Sequence, residues 1–258
     1  MKHIKRKFLS AHKISDKVQE HLVSLSHDKK AFSELKIKDY EGYYGMLITD
    51  TDAIQAFKFK KDNKTYFIPE PDPIVIYFSN AQYYLKYVLD SKKELFKDLD
   101  DPKPNTNKIL HSFYGFYGCS TSYILFLFNS LEAFLNSLIP SDYQYIKDVD
   151  RKNKIYNKEK IQKYLPFEEK LKNIIPQITN KNFHSEFGNK YDAIIKLKGL
   201  RDEIVHTKTD DKSKPNYYQR LYTLALNFDY KETIYHVKDL INFYKPVLIE
   251  ECNCGADF

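Results

Sequence analysis

The feature that most constrains the fold is a run of twenty residues without a formal charge, from Ser112 to Leu131 (SFYGFYGCSTSYILFLFNSL). Its length equals that of a membrane-spanning helix. However, it contains five Ser or Thr residues, two Gly and one Asn, and its dense apolar part is only YILFLF. These small and polar residues favour a helix buried in the core of a soluble protein. We expect one long helix over about 106–138 that stops before Pro140, and no membrane partner.

The chain has a clear internal boundary at DLDDPKPNTN, residues 98–107, where two prolines with acids and asparagines predict a linker or long turn. Residues 1–105 mix helix and strand signals. A short helix is predicted over 16–26, strands at YYGMLIT, AIQAFKFK and TYFIPE, and a hairpin turn at KDNK between the last two. IVIYF is either another strand or the start of a helix over 79–99 that Ser79 would cap. We therefore predict a smaller N-terminal α+β region.

Residues 106–258 have helical patterns throughout. Pro166 and Pro176 interrupt a Lys-rich segment after the long helix, and a further helix is predicted over 189–205. A polar loop, HTKTDDKSKPN, separates it from a last helix over 217–250, kinked or broken near Pro246. Two long and two shorter helices predict a mainly α fold, built on a bundle of four to five helices.

The predicted helix over 189–205 places an arginine among apolar neighbours. On a helical wheel Arg201 falls between Ile194 and Val205, which flank the side that should face the core. An unpaired buried charge is costly, so Arg201 needs a partner. The expected core-facing residues are Ala193, Leu197, Leu200 and Ile204.

The expected partner of Arg201 lies on the long hydrophobic helix. A polar stripe with spacing i, i+3 and i+7, formed by Asn129, Glu132 and Asn136, borders the apolar face of that helix. Glu132 is the carboxylate that we expect to receive Arg201, and a bidentate fork would fit. Asn129 and Asn136 are expected to support the same site. The apolar face itself is predicted to contain Ile124, Phe128, Leu131, Leu135 and Leu138.

The C-terminal end of the helix predicted over 189–205 carries an acid and a histidine four residues apart, so Asp202 and His206 share a face. Asp202 is expected to hold one imidazole nitrogen, and the helix dipole favours imidazolium, which suits a general acid or base. Arg201 can bind a phosphate oxygen, and His206 can move protons to or from a ribose hydroxyl or a leaving oxygen. Those are the parts of a metal-independent ribonuclease.

One geometric difficulty concerns the spacing of the two cationic groups. Residues five apart lie about 140° apart on a straight helix. One chain cannot easily direct Arg201 and His206 at the same atom unless the helix frays at His206 or a second chain contributes. A symmetric homodimer would bring two motifs together and ease the difficulty.

Two segments resemble a known family. GLRDEIVHT resembles the R-[polar]-x3-H motif of HEPN-domain proteins, and SLEAFLNSLI resembles their earlier helix, in which an acid precedes AF-x-N. The resemblance covers about residues 106–246. It implies an up-and-down helical bundle, dimerisation through the motif face and metal-free RNA cleavage without a cofactor. It also implies that Arg201 and His206 are catalytic, that Asp202 orients them and that Glu132 is the supporting acid.

The resemblance implies a biological setting as well. Family members of this kind serve as toxins or antiviral effectors, so an antitoxin or other regulatory protein is an expected partner beside RNA. Two other interpretations stay open. Arg201 and Glu132 can form a structural ion pair with His206 as a helix cap, or the bundle can bind nucleotide, RNA or a protein partner without catalysis.

Charge and cysteine content bear on partner and compartment. The net charge is +6, with five basic and no acidic residues in Met1–Lys13, and eight basic and three acidic residues in 151–172. Such patches suit a nucleic acid, and a solvated Lys-rich surface is the alternative. Three cysteines without a disulfide framework favour the reducing cytoplasm. Cys252 and Cys254 supply too few ligands for a zinc site, so no metal is expected.

Overall fold

The structure is a computed structural model, and it describes residues 2, 4, 44–47, 53–149, 152–207 and 218–253. The chain divides into two compact units, residues 6–76 and residues 1–5 with 77–258. The described residues are mostly helical, which confirms the predicted mainly α class. The predicted helix over 16–26, most of the basic segment 1–13 and most of the polar loop after His206 lie outside the described residues.

The unit of residues 6–76 contains a three-stranded antiparallel sheet in the order β1–β2–β3. Its strands are β1 (Tyr44–Leu47), β2 (Ala53–Lys61) and β3 (Lys64–Pro69). β2 and β3 form the predicted hairpin, in which Lys61 pairs with Lys64. The turn residues Asp62 and Asn63 have φ values of 49° and 61°. Asp and Asn tolerate this left-handed region, and tight hairpins favour two such residues in succession, so the predicted turn is confirmed.

Helix α1 spans Pro73–Leu99 and begins earlier than predicted. The Asp72 carboxylate accepts a hydrogen bond from the backbone N of Ile74 (2.9 Å). Pro73 has no N–H to satisfy, which suits the first turn of a helix. The segment IVIYF is therefore helical, and Ser79 lies inside the helix rather than at its start.

Along the chain, the division between the two units falls within α1, between residues 76 and 77, whereas the sequence analysis placed a boundary after residue 105. The physical reason is that most of α1 packs with the helices that follow it. The rings of Tyr84 and Phe126 stack with centroids 5.8 Å apart. Lys92 Nζ donates to the Leu226 carbonyl (2.5 Å). The linker over 98–107 thus connects two helices of one unit.

Helix α2 spans Thr106–Ser137 and confirms the long helix predicted from the charge-free run. The Asn105 side chain caps it by accepting from the backbone N of Lys108 (3.1 Å). The helix ends before Pro140, as predicted. Within the described part of the chain, no helix combines the length and apolar character that a membrane crossing needs. The buried residues of α2 are Phe116, Ser120, Tyr123, Ile124, Leu127, Phe128, Ser130, Leu131, Phe134 and Leu135.

The turn between α1 and α2 is tied by a buried carboxylate. Asp98 is 2% exposed. Lys108 Nζ lies 2.5 Å from its Oδ1, and the Ser112 hydroxyl donates to its Oδ2. The hydrogen bond from Lys108, followed by that from Ser112, lowers the pKa of the Asp98 carboxyl. The pair joins the end of one helix to the first turns of the next.

The Lys-rich segment after α2 contains a hairpin that the sequence analysis did not predict. Strand β4 (Gln144–Val149) pairs antiparallel with β5 (Lys152–Asn157), and Ile146 lies opposite Ile155. Lys147 and Asp148 interrupt the apolar pattern of β4, and lysines and asparagines interrupt that of β5, which hides the strand signal. Short helical pieces follow: α3 (Lys158–Tyr164), α4 (Phe167–Glu169), a π-helical turn (Lys170–Ile174), α5 (Ile175–Thr179) and α6 (Phe183–Glu186).

Three further helices complete the described bundle. Helix α7 (Gly188–Val205) confirms the helix predicted over 189–205. The prediction of one last helix over 217–250 is wrong, because the segment forms α8 (Gln219–Leu226) and α9 (Tyr230–Tyr244). The break comes before Asp229, whose carboxylate accepts from the backbone N of Glu232 (3.0 Å) and starts α9.

The core lies where α2 packs against α7, α8 and α9. Buried hydroxyls fix how α2 meets α9. The Tyr123 hydroxyl donates to the Tyr230 carbonyl (2.7 Å), and the hydroxyls of Ser120 and Tyr230 lie 2.6 Å apart. Buried polar groups of this kind need their partners, so they hold one arrangement of the two helices. That arrangement also leaves Glu132 of the polar stripe beside Arg201 of α7.

Candidate functional site

The candidate site lies where the C-terminal half of α7 meets the middle of α2. Arg201 is the central group. Its guanidinium carbon lies 4.1 Å from the centroid of the Phe128 ring, a cation–π contact with the apolar face of α2. The Arg201 side chain is 22% exposed. The guanidinium is thus held against a ring and keeps part of its surface open.

Two carboxylates bind the Arg201 guanidinium. Nη2 lies 3.3 Å from Glu132 Oε2, and Nη1 lies 2.8 Å from Asp202 Oδ1. The predicted pairing with Glu132 is confirmed. The expected bidentate fork is not formed with Glu132 alone, because the two terminal nitrogens bind different carboxylates. This arrangement fixes the plane of the guanidinium and uses two of its five N–H groups, so others remain for an oxyanion.

Sequence reasoning missed a buried lysine at the back of this pair. Lys170 is fully buried, and its Nζ lies 3.1 Å from Asn136 Oδ1 and 3.5 Å from Glu132 Oε1. Burial lowers the pKa of the Lys170 ammonium, and the charge of Glu132 opposes that effect. Glu132 therefore bridges two cations, one buried and one partly exposed.

The neighbours of Lys170 contained a signal that could have identified it. Phe167 and Ile174 stand three residues before and four residues after it, so all three share one helical face, and both are buried. The local helix is a π-helical turn, Lys170–Ile174, a conformation that is frequent at functional sites. A lysine on such an apolar face is a candidate for a buried, paired cation.

Asp202 has partners other than the predicted one. Its Oδ1 binds Arg201, and its Oδ2 lies 2.9 Å from Lys198 Nζ. Lys198 also lies 3.6 Å from Glu168 Oε1, and its hydrogen bond to Asp202 raises the pKa of the Lys198 ammonium. Asp202 thus orients Arg201 rather than the His206 imidazole. The physical reason is that both oxygens already meet cations on the helix itself, one residue and four residues earlier in the chain.

His206 stands apart from this network. It is the C-cap residue of α7, with φ −110° and ψ 47°, and its backbone N donates to the Asp202 carbonyl (2.9 Å). Its side chain is exposed and has no hydrogen-bond or ion-pair partner among the residues described. Asn129 is likewise exposed and unpartnered within that set. The fold thus joins Arg201, Asp202, Glu132 and Asn136, and leaves His206 and Asn129 to solvent.

The cluster is electrically balanced. Three cations, Arg201, Lys170 and Lys198, face three carboxylates, Glu132, Asp202 and Glu168. Chemically, this set can present one oriented guanidinium to an anion, and the adjacent helix end can present an imidazole. No three His, Cys, Asp or Glu side chains come together to hold a metal ion in the described part of the chain.

A scan against protein-family models and searches of curated proteins and solved structures found no match to this chain.

Proposed function

We propose that the protein is a metal-independent endoribonuclease of the HEPN type that acts as a homodimer. The observation that carries the proposal is the arrangement at the end of α7. Arg201 is oriented by Glu132 and Asp202 and remains partly exposed. One turn later, His206 presents an imidazole that no described side chain engages. A fixed cation and a free proton carrier on one helix end are what phosphodiester transfer needs.

The proposed reaction uses the substrate's own ribose. His206 removes the proton of a 2′-hydroxyl, and the 2′ oxygen attacks the adjacent phosphorus. The bond from phosphorus to the 5′ oxygen breaks, which gives a 2′,3′-cyclic phosphate and a 5′-hydroxyl after protonation of the leaving oxygen. Arg201 stabilises the added negative charge on the phosphoryl oxygens, and its orientation by two carboxylates means that little reorganisation is needed.

The proposal requires a second copy of the chain. Arg201 points toward α2, and His206 lies about 140° further around α7, so one chain does not direct both groups at one phosphate. In a two-fold dimer, His206 of the partner subunit would face this Arg201 and also supply the acid for the leaving group. A nuclease of this kind would serve as a toxin or antiviral effector and would be controlled by a regulatory protein or by its RNA target.

The test is cleavage of single-stranded RNA by the purified full-length chain in the presence of EDTA. We expect products with 2′,3′-cyclic phosphate and 5′-hydroxyl ends, and a dimer by light scattering. His206→Ala and Arg201→Ala should each lower the rate at least 100-fold, the size typical of losing a general base or an oxyanion donor. His111→Ala, which changes an exposed histidine of α2, is the matched control and should retain full activity. Equal activity in all three variants would refute the assignment.

A second candidate function is a non-catalytic helical module that binds RNA, a nucleotide or a protein. The observation that favours it is the complete pairing of the cluster, in which Arg201 has two carboxylate partners and Asp202 has two cations. Such balanced pairs are often structural. This alternative predicts an intact RNA substrate and a bound partner whose affinity does not change in His206→Ala.

A further inference from the structure

A cleft of about 490 Å³ opens on another face of α7 from the one that carries Arg201. Its walls come from α7, α8 and the start of α9. The volume falls in the range of sites that take a nucleotide-sized ligand. The residues that matter for its chemistry are Lys196, Gly199, Glu203, Arg220, Phe228 and Glu232.

The cleft combines an aromatic wall with carboxylates. The Phe228 ring is half-buried and packs edge-on against Tyr230 (centroids 5.1 Å apart), which fixes its orientation. Glu232 is exposed and has no ion-pair partner among the described residues. Glu203 pairs with Arg220 at 3.0 Å. A planar ligand can therefore lie against the ring while a carboxylate accepts hydrogen bonds at its edge.

Two further residues of the cleft wall are Gly199, beside which space is open, and His236. A Cβ placed on Gly199 would meet no atom within 4 Å, although glycine is the least favoured ordinary residue inside a helix. His236 also lines the cleft, and its Nδ1 is buried without a hydrogen-bond partner in the described structure. Solvent does not reach this nitrogen, so its hydrogen-bonding capacity stays unused among the described residues.

The cleft leads toward the proposed catalytic histidine. Lys196, Gly199 and Glu203 follow one another at i, i+3 and i+7, so they form a stripe along α7. His206 comes three residues after Glu203, about 4.5 Å further along the helix axis. A base held in the cleft would thus bring its own ribose to the helix end where His206 lies.

We propose that this cleft binds the base of the nucleotide whose 2′-hydroxyl is activated, and that it selects bases with an exocyclic amine. Adenine, guanine and cytosine can donate from that amine to Glu232, whereas the only donor on the edge of uracil, N3–H, lies between two carbonyl oxygens that a carboxylate repels. Lys196 and Arg220 supply cations for the flanking phosphates. The inference rests on the proposed function, because it assumes that the ligand is RNA, and it adds a base preference.

The test measures binding separately from cleavage. The full-length chain carrying His206→Ala is titrated with AMP, GMP, CMP and UMP to millimolar concentrations, and binding is followed by ligand-observed NMR. We expect the three amino-bearing nucleotides to bind at least tenfold more tightly than UMP. Glu232→Gln should reduce that preference to less than threefold, whereas Glu186→Gln, an exposed glutamate of α6, should preserve it.

A second variant fills the cleft. Gly199→Leu should weaken nucleotide binding at least tenfold, because its side chain occupies the open space. Gly118→Leu on α2, where an added Cβ also meets nothing within 4 Å, is the matched control and should bind normally. Equal binding of all four nucleotides, no binding at all, or unchanged binding by Gly199→Leu would each overturn the proposal.

The outcomes separate this inference from the proposed function. Selective nucleotide binding by a wild-type protein that leaves RNA intact retains the cleft and refutes the nuclease. If the protein cleaves RNA without preference for the base 5′ to the cut and binds no nucleotide, the proposed nuclease activity stands and the base-binding role of the cleft is refuted.

Discussion

Glu132→Gln is the most informative perturbation of the buried charge network, because Glu132 is the only acid that the structure describes between Lys170 and Arg201. The carboxylate lies 3.5 Å from Lys170 Nζ and 3.3 Å from Arg201 Nη2. The amide of Gln keeps the shape and removes the charge. Arg201 retains Asp202, but among the residues that the structure describes Lys170 retains only the Asn136 amide oxygen. The variant therefore leaves a buried ammonium without a countercharge.

The loss of unfolding free energy in Glu132→Gln depends on how deeply Lys170 and Glu132 are each buried. Coulomb's law with an effective dielectric constant of about 20 gives roughly 5 kcal/mol for a pair at 3.5 Å. Breaking a fully buried pair costs about 3–5 kcal/mol, and breaking an exposed pair costs less than about 1 kcal/mol. The Lys170 side chain is 1% exposed and that of Glu132 is 35% exposed. We expect Glu132→Gln to lower the free energy of unfolding by about 2 kcal/mol.

The assay is urea denaturation followed by circular dichroism at neutral pH, with Glu94→Gln as the control. Glu94 pairs with Lys97 at 3.6 Å on the surface of α1, so its loss should cost less than about 1 kcal/mol. Lys170→Met in the Glu132→Gln background should recover about 1 kcal/mol or more, since it removes the unpaired charge. A cost below about 0.5 kcal/mol for Glu132→Gln, or a further loss in the double variant, would contradict a buried Lys170 ammonium that depends on the charge of Glu132.

The pH dependence provides a second check on the same variant. Burial lowers the pKa of Lys170 below its ordinary value of 10.5, and Glu132 opposes this, so the pKa should fall further in Glu132→Gln. At pH values between the pKa of Lys170 in the folded state and that in the unfolded state, the unfolded chain binds more protons. The folded state therefore becomes more stable relative to the unfolded state as pH rises. The deficit of Glu132→Gln against wild type should therefore shrink as pH rises toward 10.5. A deficit that grows over that range would contradict a charged, buried Lys170.

Two further predictions concern stability. Gly199→Ala should raise the free energy of unfolding by about 1 kcal/mol and the melting temperature by about 2–4 °C, because Ala favours the helix and its Cβ meets no atom within 4 Å. Gly118→Ala is the control. A gain in stability for Gly118→Ala alone would contradict the open space at Gly199. Asp98→Asn should lower stability at neutral pH, because it removes the buried negative charge that binds Lys108 and Ser112. Since the pKa of Asp98 is lowered in the folded state, its contribution is present above the ordinary value of 3.8 and is lost as pH falls below it. The urea midpoints of wild type and variant, measured between about pH 6 and pH 2, should thus converge at the acid end. A difference in midpoint that stays constant over this pH range would contradict this role of Asp98.

Local sequence signals were sufficient for several elements of the fold. The charge-free run and Pro140 placed α2 almost to the residue, and Asp62 with Asn63 placed the β2–β3 hairpin. The same signals failed in charged segments. Strands β4 and β5 went undetected among lysines, and the α8–α9 break went undetected because a cap at Asp229 competes with a continuous apolar pattern. Short-range propensity decides an element only where no opposing signal overlaps it.

From the amino-acid sequence it follows that Arg201 needs an acid and that Glu132, on the edge of an apolar helix face, is that acid. Helical periodicity alone places both groups, and burial of a charge requires the pair. Three features depend on the packed fold. Asp202 binds Arg201 and Lys198 instead of His206, Lys170 lies buried behind Glu132, and a cleft opens beside Gly199. Those choices depend on how each helix is rotated against neighbours far away in the chain. Periodicity gives the face of one helix, whereas packing of several helices sets which side chains meet across them.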